Sequence, residues 1–375
     1  MFDCIIVGAG PAGGTAAYHL AKKGRSVLVI EKETLPRYKP CGGGVSPIIA
    51  EWFDFDFSSA ISLKINHIRY TWKMGDPVEM ELETKEPIWM VRRDIFDHFL
   101  IQQAQKQGAE LKDGIEVTGI QFQSDRWQVN TSNGSFTSRY LIAADGAKGP
   151  MAKFLGFKNR TQRLAGALEA QLPANTQENI IHFEFGTIKN GYIWNFPKVE
   201  GYSIGVGTLR GGEPKDFTKT LNEYVGNLGI DIKNTQQYSH ALCLWDGDKK
   251  LHTQNAILAG EAASVVDPFT AEGIRPSMFT GLKASEAIDQ ALSGDINALE
   301  NYTNIINQEW GGDMLWAQRL SGIFYRIPGI AYKVAIKQPA ATYKMGQILC
   351  GELRYGDVAN KAINFLSKNL IPGMG

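Results

Sequence analysis

Gly8-Ala9-Gly10-Pro11-Ala12-Gly13 is the first stretch whose residue types and spacing can do chemistry. It has the G-x-G-x-x-G spacing of a dinucleotide-binding turn. Asp3-Cys4-Ile5-Ile6-Val7 before it is a short apolar run, as a buried parallel strand requires. Ala16, Ala17, Leu20 and Ala21 follow at helical spacing, and Ser26 to Ile30 reads as a second strand that ends in Glu31. Gly8 permits a tight turn, Gly10 lets a pyrophosphate approach the backbone, and Gly13 lets helix and strand pack closely. The helix N-terminus offers unpaired N–H groups and a positive dipole end to phosphates. Glu31 stands eighteen positions after Gly13 and can accept from two ribose hydroxyls. Its charge disfavours a 2′-phosphate, which predicts FAD or NAD at this turn rather than NADP.

Other reactive types are spread along the chain. Cys41 sits in Pro40-Cys41-Gly42-Gly43-Gly44, a turn able to present backbone N–H groups; read alone, the thiol is either functional or a small buried residue. Tyr192, Trp194 and Phe196 share one face of an alternating strand. Such a stripe is core packing or the wall of an apolar site. The six histidines (19, 67, 98, 182, 240 and 252) form no metal-spaced pair. The four cysteines, Cys4, Cys41, Cys243 and Cys350, form no C-x-x-C, so neither zinc nor an iron–sulfur cluster is expected. Scattered thiols in a chain of this length suit a reducing compartment.

Later segments decide which dinucleotide. Arg93-Asp94-Ile95-Phe96-Asp97 resembles the R-x-x-F-D helix start of FAD-dependent enzymes related to para-hydroxybenzoate hydroxylase. Leu141 to Gly146 resembles their second FAD motif, a strand ending in Asp-Gly. Ala256 to Ala263, then Val266 to Ile274, resembles their third, with Glu261 where an aspartate is usual. Within that superfamily the chain is most similar to the geranylgeranyl reductase family. Pro40 to Gly44 resembles its Cys-Gly-rich loop, Tyr192 to Lys198 its Y-x-W-x-F-P-K motif, and Thr270 to Ile274 its T-G-E-G-I, with Ala271 in place of glycine.

This resemblance implies FAD bound by Gly8, Gly10, Ala12, Gly13, Glu31, Cys41, Gly42, Gly44, Arg93, Val117, Asp145, Glu261, Pro268, Gly273 and Ile274. It implies an active site at Cys41, Tyr192 and Trp194, and a polyprenyl or lipid substrate against Tyr192, Trp194 and Phe196. The activity it implies is saturation of carbon–carbon double bonds, with NADPH or reduced ferredoxin as donor. Gly149 and Ala152 replace the Ser and Arg that usually follow the Asp-Gly motif, a segment that often serves NAD(P)H as well. The FAD motifs are also shared with flavin monooxygenases acting on aromatic or polyene substrates. A non-catalytic FAD-binding electron relay is the alternative from another class.

These residues need elements to position them. The resemblance implies an α/β fold: a Rossmann-like FAD-binding domain of the para-hydroxybenzoate hydroxylase type over 1–56, 94–160 and 250–295. A mainly antiparallel substrate sheet over 57–93 and 161–249 is inserted in it. The patterning agrees, since Ile181, Phe183 and Phe185 share one strand face and Tyr202, Ile204 and Val206 repeat the alternation. Ile115 to Ile120 reads as a strand, and Arg275 to Leu292 as a helix with Pro276 in its first turn. Residues 296–375 read as helical, with breaks at Pro328, Pro339 and Pro372.

The 375 residues carry 39 basic and 39 acidic side chains, so no excess of positive charge marks a nucleic-acid binder. From Ile330 onward six cations (Lys333, Lys337, Lys344, Arg354, Lys361 and Lys368) face two acids (Glu352 and Asp357). That excess suits a solvated cap, an anionic membrane surface or an acidic donor such as ferredoxin. No apolar run approaches the roughly 18 residues of a bilayer span, and no secretory peptide is visible. The expected location is the cytoplasm, or the cytoplasmic face of a membrane as a peripheral protein.

Overall fold

A computed structural model describes residues 1–157, 163–173, 178–209, 217–229 and 236–359, with the backbone alone over 163–173. The chain opens with β1 (Phe2–Val7), α1 (Pro11–Lys22) and β2 (Val27–Ile30). β1 and β2 pair in parallel, and Cys4 to Val7 and all of β2 are buried, which is why both read as unbroken apolar runs. Pro11 occupies the first turn of α1, where its missing N–H costs nothing.

Next come β3 (Gly44–Val45), β4 (Leu63–Ile65), β5 (His67–Trp72), β6 (Gly75–Glu81) and β7 (Ile88–Met90). They are followed by α2 (Arg93–Lys106), β8 (Glu110–Lys112), β9 (Val117–Gln123), β10 (Arg126–Thr131), β11 (Gly134–Ala143) and α3 (Met151–Phe154). β12 (Arg163–Pro173), β13 (Ile181–Phe185), β14 (Gly191–Lys198), β15 (Gly201–Thr208), α4 (Phe217–Asn227) and β16 (Gln237–Leu244) form the middle of the chain. The remainder is β17 (His252–Thr253), β18 (Ala256–Leu258), α5 (Ile274–Leu292), α6 (Ala298–Ile305), α7 (Gly312–Phe324), α8 (Pro328–Ala331) and α9 (Pro339–Leu349).

Three sheets result. The first runs β17-β18-β11-β1-β2-β8, with β10 and β9 extending from β11. Its parallel centre is β18, β11, β1, β2 and β8. The second runs β16-β12-β15-β14-β13-β5-β6 and is antiparallel except where β13 pairs with β5. The third is small, with β7 between β3 and β4.

Close packing of α1 depends on missing side chains. A Cβ on Gly13 would lie 1.9 Å from the Gly8 carbonyl oxygen, and one on Gly281 of α5 would lie 2.3 Å from that of Ala12. The second sheet buries both faces. Tyr70, Phe185 and Tyr192 pack against Phe324, Tyr325 and Tyr332 of the C-terminal helices. Ile193, Ile204 and Val206 pack against Leu221, Tyr224 and Val225 of α4. Alternation along β14 therefore turns its aromatic residues to one side and Ile193 to the other.

Element ends differ from the sequence reading in small ways. β9 starts at Val117 rather than Ile115, because the Ile115 N–H donates instead to the Glu31 carbonyl (3.0 Å). α5 starts one residue earlier, at Ile274. Pro328 and Pro339 open helices rather than only breaking them, as the first turn tolerates. Two π-helical stretches, Ile306–Gly311 and Tyr332–Ile336, interrupt the C-terminal helices. Lys361, Lys368 and Pro372 lie outside the described residues.

Candidate functional site

Strand β1 delivers the glycine turn. Gly8 has φ +105°, a left-handed conformation that glycine adopts freely. The buried Glu31 carboxylate, at the end of β2, accepts from the Ala9 N–H (2.8 Å) and the Glu33 N–H (3.1 Å). Arg37 Nη2 lies 3.7 Å from the same carboxylate. At the start of α2, Arg93 makes a two-pronged bond to Asp97 (2.7 and 2.8 Å), and Arg37 donates to Asp97 at 2.9 Å. Burial alone would raise the Asp97 carboxyl, but the Arg93 and Arg37 guanidiniums more than reverse it, so it stays charged. A Cβ on Gly10 would meet only Arg37 Nη2 and Arg93 Nη2, each at 3.9 Å. Backbone N–H groups and two guanidiniums thus surround one open position, a setting for a pyrophosphate.

Two carboxylates mark the other end. Asp145 lies just beyond β11, with its backbone N about 3.0 Å from where a Gly8 Cβ would be. Its Oδ2 accepts from the Met151 N–H (2.8 Å), while Oδ1 is buried without a partner among the described residues. Burial raises this carboxyl to about 6. Glu261, after β18, places Oε2 3.2 Å from Lys39 Nζ and 3.6 Å from His240 Nε2. Burial pushes its carboxyl up, and Lys39 and His240 pull it down to about 2. Its Oε1 is buried and also unpartnered among the described residues. Buried acceptors without donors are rare and costly, so hydroxyl donors of a bound molecule are the natural partners. An open glycine cradle, two guanidiniums and two orphaned carboxylate oxygens fit FAD.

A cleft of about 1360 Å³, counting its open mouth, adjoins these groups and is lined by residues of the second and third sheets and of the loops between them and the first. Pro11, Arg93 and Glu261 line its cofactor side. Cys41, Gly42, Gly44, Tyr192, Trp194, Phe196, Gly273 and Ile274 also line it, so most of the predicted site residues meet in one place. Cys41 Sγ accepts from the Gly43 N–H (3.3 Å). Buried Lys198, at the end of β14, donates to the carbonyls of Gly42 (2.6 Å) and Val91 (2.8 Å), which fixes the cysteine loop to the aromatic strand. The Phe196 ring covers Gly42: a Cβ there would lie 2.7 Å from it. Trp194 lies flat over Gly205, whose Cβ would sit 2.0 Å from the indole, and its Nε1 donates to Ser203 Oγ (3.3 Å). The Tyr192 hydroxyl donates to the Thr270 carbonyl (2.5 Å), tying this wall to the loop before α5, and burial raises its pKa.

Other predicted residues stand outside the cleft. Gly8, Gly10, Ala12, Gly13 and Glu31 form the turn already described. Val117 is buried at the start of β9, two residues past the Ile115 bond to Glu31. Pro268 is buried beside Asp267. Ala271, which does line the cleft, has φ +63°, at the position where the family usually has a glycine.

Three groups at the cleft are not among the predicted site residues. Lys39 and His240 line the cleft and hold Glu261. Glu272 also lines it; Oε2 pairs with Arg275 Nη2 (2.7 Å) and Oε1 is buried without a partner among the described residues. Burial raises the Glu272 carboxyl, Arg275 offsets this only in part, and Asp267 adds to it. The signal for Glu272 was present in Thr270 to Ile274, where it was read as a motif letter without a role.

Residues 1–190 match the family described as FAD binding domain. A digeranylgeranylglycerophospholipid reductase of Methanococcus vannielii is 28% identical over 338 residues, covering 82% of each chain. A menaquinone reductase of Mycobacterium tuberculosis is 30% identical over 344 residues, covering 85% of this chain and 83% of the relative. Among solved structures, a geranylgeranyl bacteriochlorophyll reductase-like protein of Thermoplasma acidophilum superposes with a TM-score of 0.81 over 99% of both chains, at 21% identity. That likeness carries the fold, and the family model over residues 1–190 together with the menaquinone reductase relative carries the family. The chain belongs to the geranylgeranyl reductase family of FAD-dependent oxidoreductases.

Proposed function

We propose that the protein saturates carbon–carbon double bonds in a polyprenyl chain. One observation carries this reading: a single cleft joins the cofactor-side groups Arg93, Cys41 and Glu261 to walls made of Ile88, Met90, Ile181, Phe183, Leu209 and Leu242. A polyprenyl chain offers only apolar surface, so its site must be apolar with polar groups confined to one end. The names of the relatives support the same substrate class, because digeranylgeranylglycerophospholipids and menaquinone both carry polyprenyl chains. The division into a discontinuous FAD domain, an inserted substrate domain and a helical C-terminal region belongs to this proposal, as do the assigned site residues.

When bound and reduced, FAD supplies the hydride. The protein must do the rest. An unactivated trisubstituted alkene accepts hydride poorly, so a proton has to reach one carbon as positive charge develops on the other. Trp194 and Tyr192 line the cleft, and an aromatic wall attracts such charge in a dry site. Glu272, whose carboxyl burial raises and Arg275 only partly lowers, has Oε1 free beside the same cleft and is the first candidate to deliver that proton. Cys41 is the second candidate for that role. Lys198 holds the Cys41 loop still. The electron donor, NADPH or reduced ferredoxin, is part of the proposal.

Anaerobic, dithionite-reduced protein incubated with a geranylgeranylated glycerophospholipid or quinone tests it. Mass gains in steps of two hydrogens are expected. Oxygen-dependent hydroxylation with no such gain would instead identify a monooxygenase, and no product from any prenyl compound would leave an electron relay.

A further inference from the structure

The C-terminal helices have two faces of unlike character. Inward, Phe324, Tyr325 and Tyr332 are buried against the substrate sheet. Outward, Leu320, Ile323, Ile327, Ile330 and Val334 are exposed by 38%, 62%, 44%, 59% and 64%. Their spacing of three, four, three and four residues is that of one helical face, although Ile327, at the break before α8, departs from helical backbone (φ −131°, ψ 55°). The stripe continues across the break between α7 and α8: the Ile327 N–H donates to the Ile323 carbonyl (3.3 Å), and the Ile327 carbonyl accepts from the Ile330 N–H (3.1 Å). Large exposed aliphatic side chains grouped in this way are unusual on a monomer surface and mark an interaction site.

The charges beside the stripe say what covers it. From Met314 to Gly351 there are five cations (Arg319, Arg326, Lys333, Lys337 and Lys344) and no acidic residue. Arg319 lies over the Trp316 ring at 4.6 Å, and Lys337 pairs with Asp76 at 2.6 Å. Arg326 and Lys333, both exposed, have no acidic partner among the described residues. A second copy of this face would bring like charges together. A lipid surface with anionic headgroups would take the cations at headgroup level and the aliphatic stripe below them, the arrangement of an interfacial amphipathic helix. Among the described residues no helix is long and apolar enough to cross a membrane, so the contact is peripheral.

We propose that the outer face of α7 and α8 docks on an anionic phospholipid bilayer. The proposal extends the reading of a polyprenyl substrate, because α9, next along the chain, contributes Leu349 to the cleft. Docking would set this helical cover against the source of a lipid substrate.

Co-sedimentation of the FAD-loaded full chain with phosphatidylglycerol vesicles tests the docking without any turnover. Binding is expected to phosphatidylglycerol, to fall with salt between about 0.1 and about 0.5 M, and to be weak on phosphatidylcholine. Ile323→Asp with Ile330→Asp should abolish it while the FAD absorbance of the protein stays unchanged. Arg326→Glu with Lys333→Glu should weaken it by about tenfold or more on phosphatidylglycerol and leave phosphatidylcholine unaffected. Equal binding by wild type and both variants would overturn the proposal. So would absence of binding to phosphatidylglycerol, or a dimer that the stripe variants dissolve while vesicle binding stays unchanged. Vesicle binding without prenyl reduction would leave the docking standing and remove the substrate reading alone.

Discussion

Glu272 and Glu261 line the same cleft, and their neighbours shift the two carboxyls in opposite directions. Glu272 is largely shielded from solvent near Asp267 and only partly compensated by Arg275, so its pKa rises. Glu261 has Lys39 and His240 within 4 Å, so its pKa falls to about 2. Environments that push two carboxyls apart separate a proton holder from a fixed anion. If Glu272 donates the proton, Glu272→Gln should lower the rate of prenyl reduction by roughly 10²–10⁴-fold, the usual worth of a general acid, while FAD content is retained. Wild-type turnover should also fall as pH rises through the raised pKa, and the variant should lose that limb of the profile; an unchanged pH profile would return Glu272 to a structural pairing with Arg275. Glu261 makes a stability statement. Its folded pKa lies below its ordinary value of 4.5, so its contribution is present above about pH 4.5 and is lost as pH falls toward 2. The ceiling is about 3 kcal/mol. Denaturant titrations of the FAD-free protein from pH 6 down to about pH 2 should therefore show a steeper acid loss for wild type than for Glu261→Gln.

At the scale of elements, the opening strand–turn–helix separates two roles that glycine plays. Gly10 has φ −80°, which any residue tolerates, and a Cβ there meets nothing closer than two guanidinium nitrogens at 3.9 Å. Gly13 is different, because its Cβ would overlap the Gly8 carbonyl oxygen at 1.9 Å. Gly10→Val should leave the fold intact and cost FAD affinity more than about tenfold, about 1.4 kcal/mol or more. Gly13→Ala should lower unfolding free energy by about 1–3 kcal/mol. FAD titration of the apoproteins and denaturant midpoints separate the two outcomes, and an unchanged FAD affinity in Gly10→Val would refute the assignment. The same contrast explains what the sequence made legible. Apolar runs buried on both faces, as in β1 and β2, and the turn between them are local signals. So is the alternation of Tyr192, Trp194 and Phe196, although which side of β14 faces the cleft depends on α4 covering Ile193. Lys39 and His240 were not legible, because they meet Glu261 only through folding: Lys39 precedes the cysteine loop and His240 lies on β16, about 200 residues later. Nor were the two π-helical stretches, which have no period of their own in the sequence.

For the whole molecule, the C-terminal helices join the cofactor body to the substrate sheet. Trp310 Nε1 donates to the Val265 carbonyl (2.8 Å), and the Tyr332 hydroxyl donates to the carbonyls of Tyr70 (3.1 Å) and Asp76 (2.7 Å). Tyr355 makes the most consequential tie. Its hydroxyl, fully buried, donates to Asp267 Oδ2 at 2.7 Å, while Asp267 Oδ1 accepts from the N–H groups of Phe269 (2.7 Å) and Thr270 (3.2 Å). Asp267 is 1% exposed, so the end of the chain secures the loop that carries Thr270 and Glu272 into the cleft. Tyr355→Phe keeps the ring's packing and leaves one buried carboxylate oxygen without its donor. That should cost about 1–3 kcal/mol, more than loss of a typical hydrogen bond to a carbonyl, because the unpaired group is a buried carboxylate. Tyr332→Phe, which loses only bonds to carbonyls, should cost about 1 kcal/mol and serves as the control. Denaturant unfolding of the two variants compares these costs directly. If the tie also sets the loop, Tyr355→Phe should lower prenyl reduction below the level of Tyr332→Phe at matched FAD content. Equal effects of the two variants on both stability and turnover would mean that Asp267 does not depend on the chain's end.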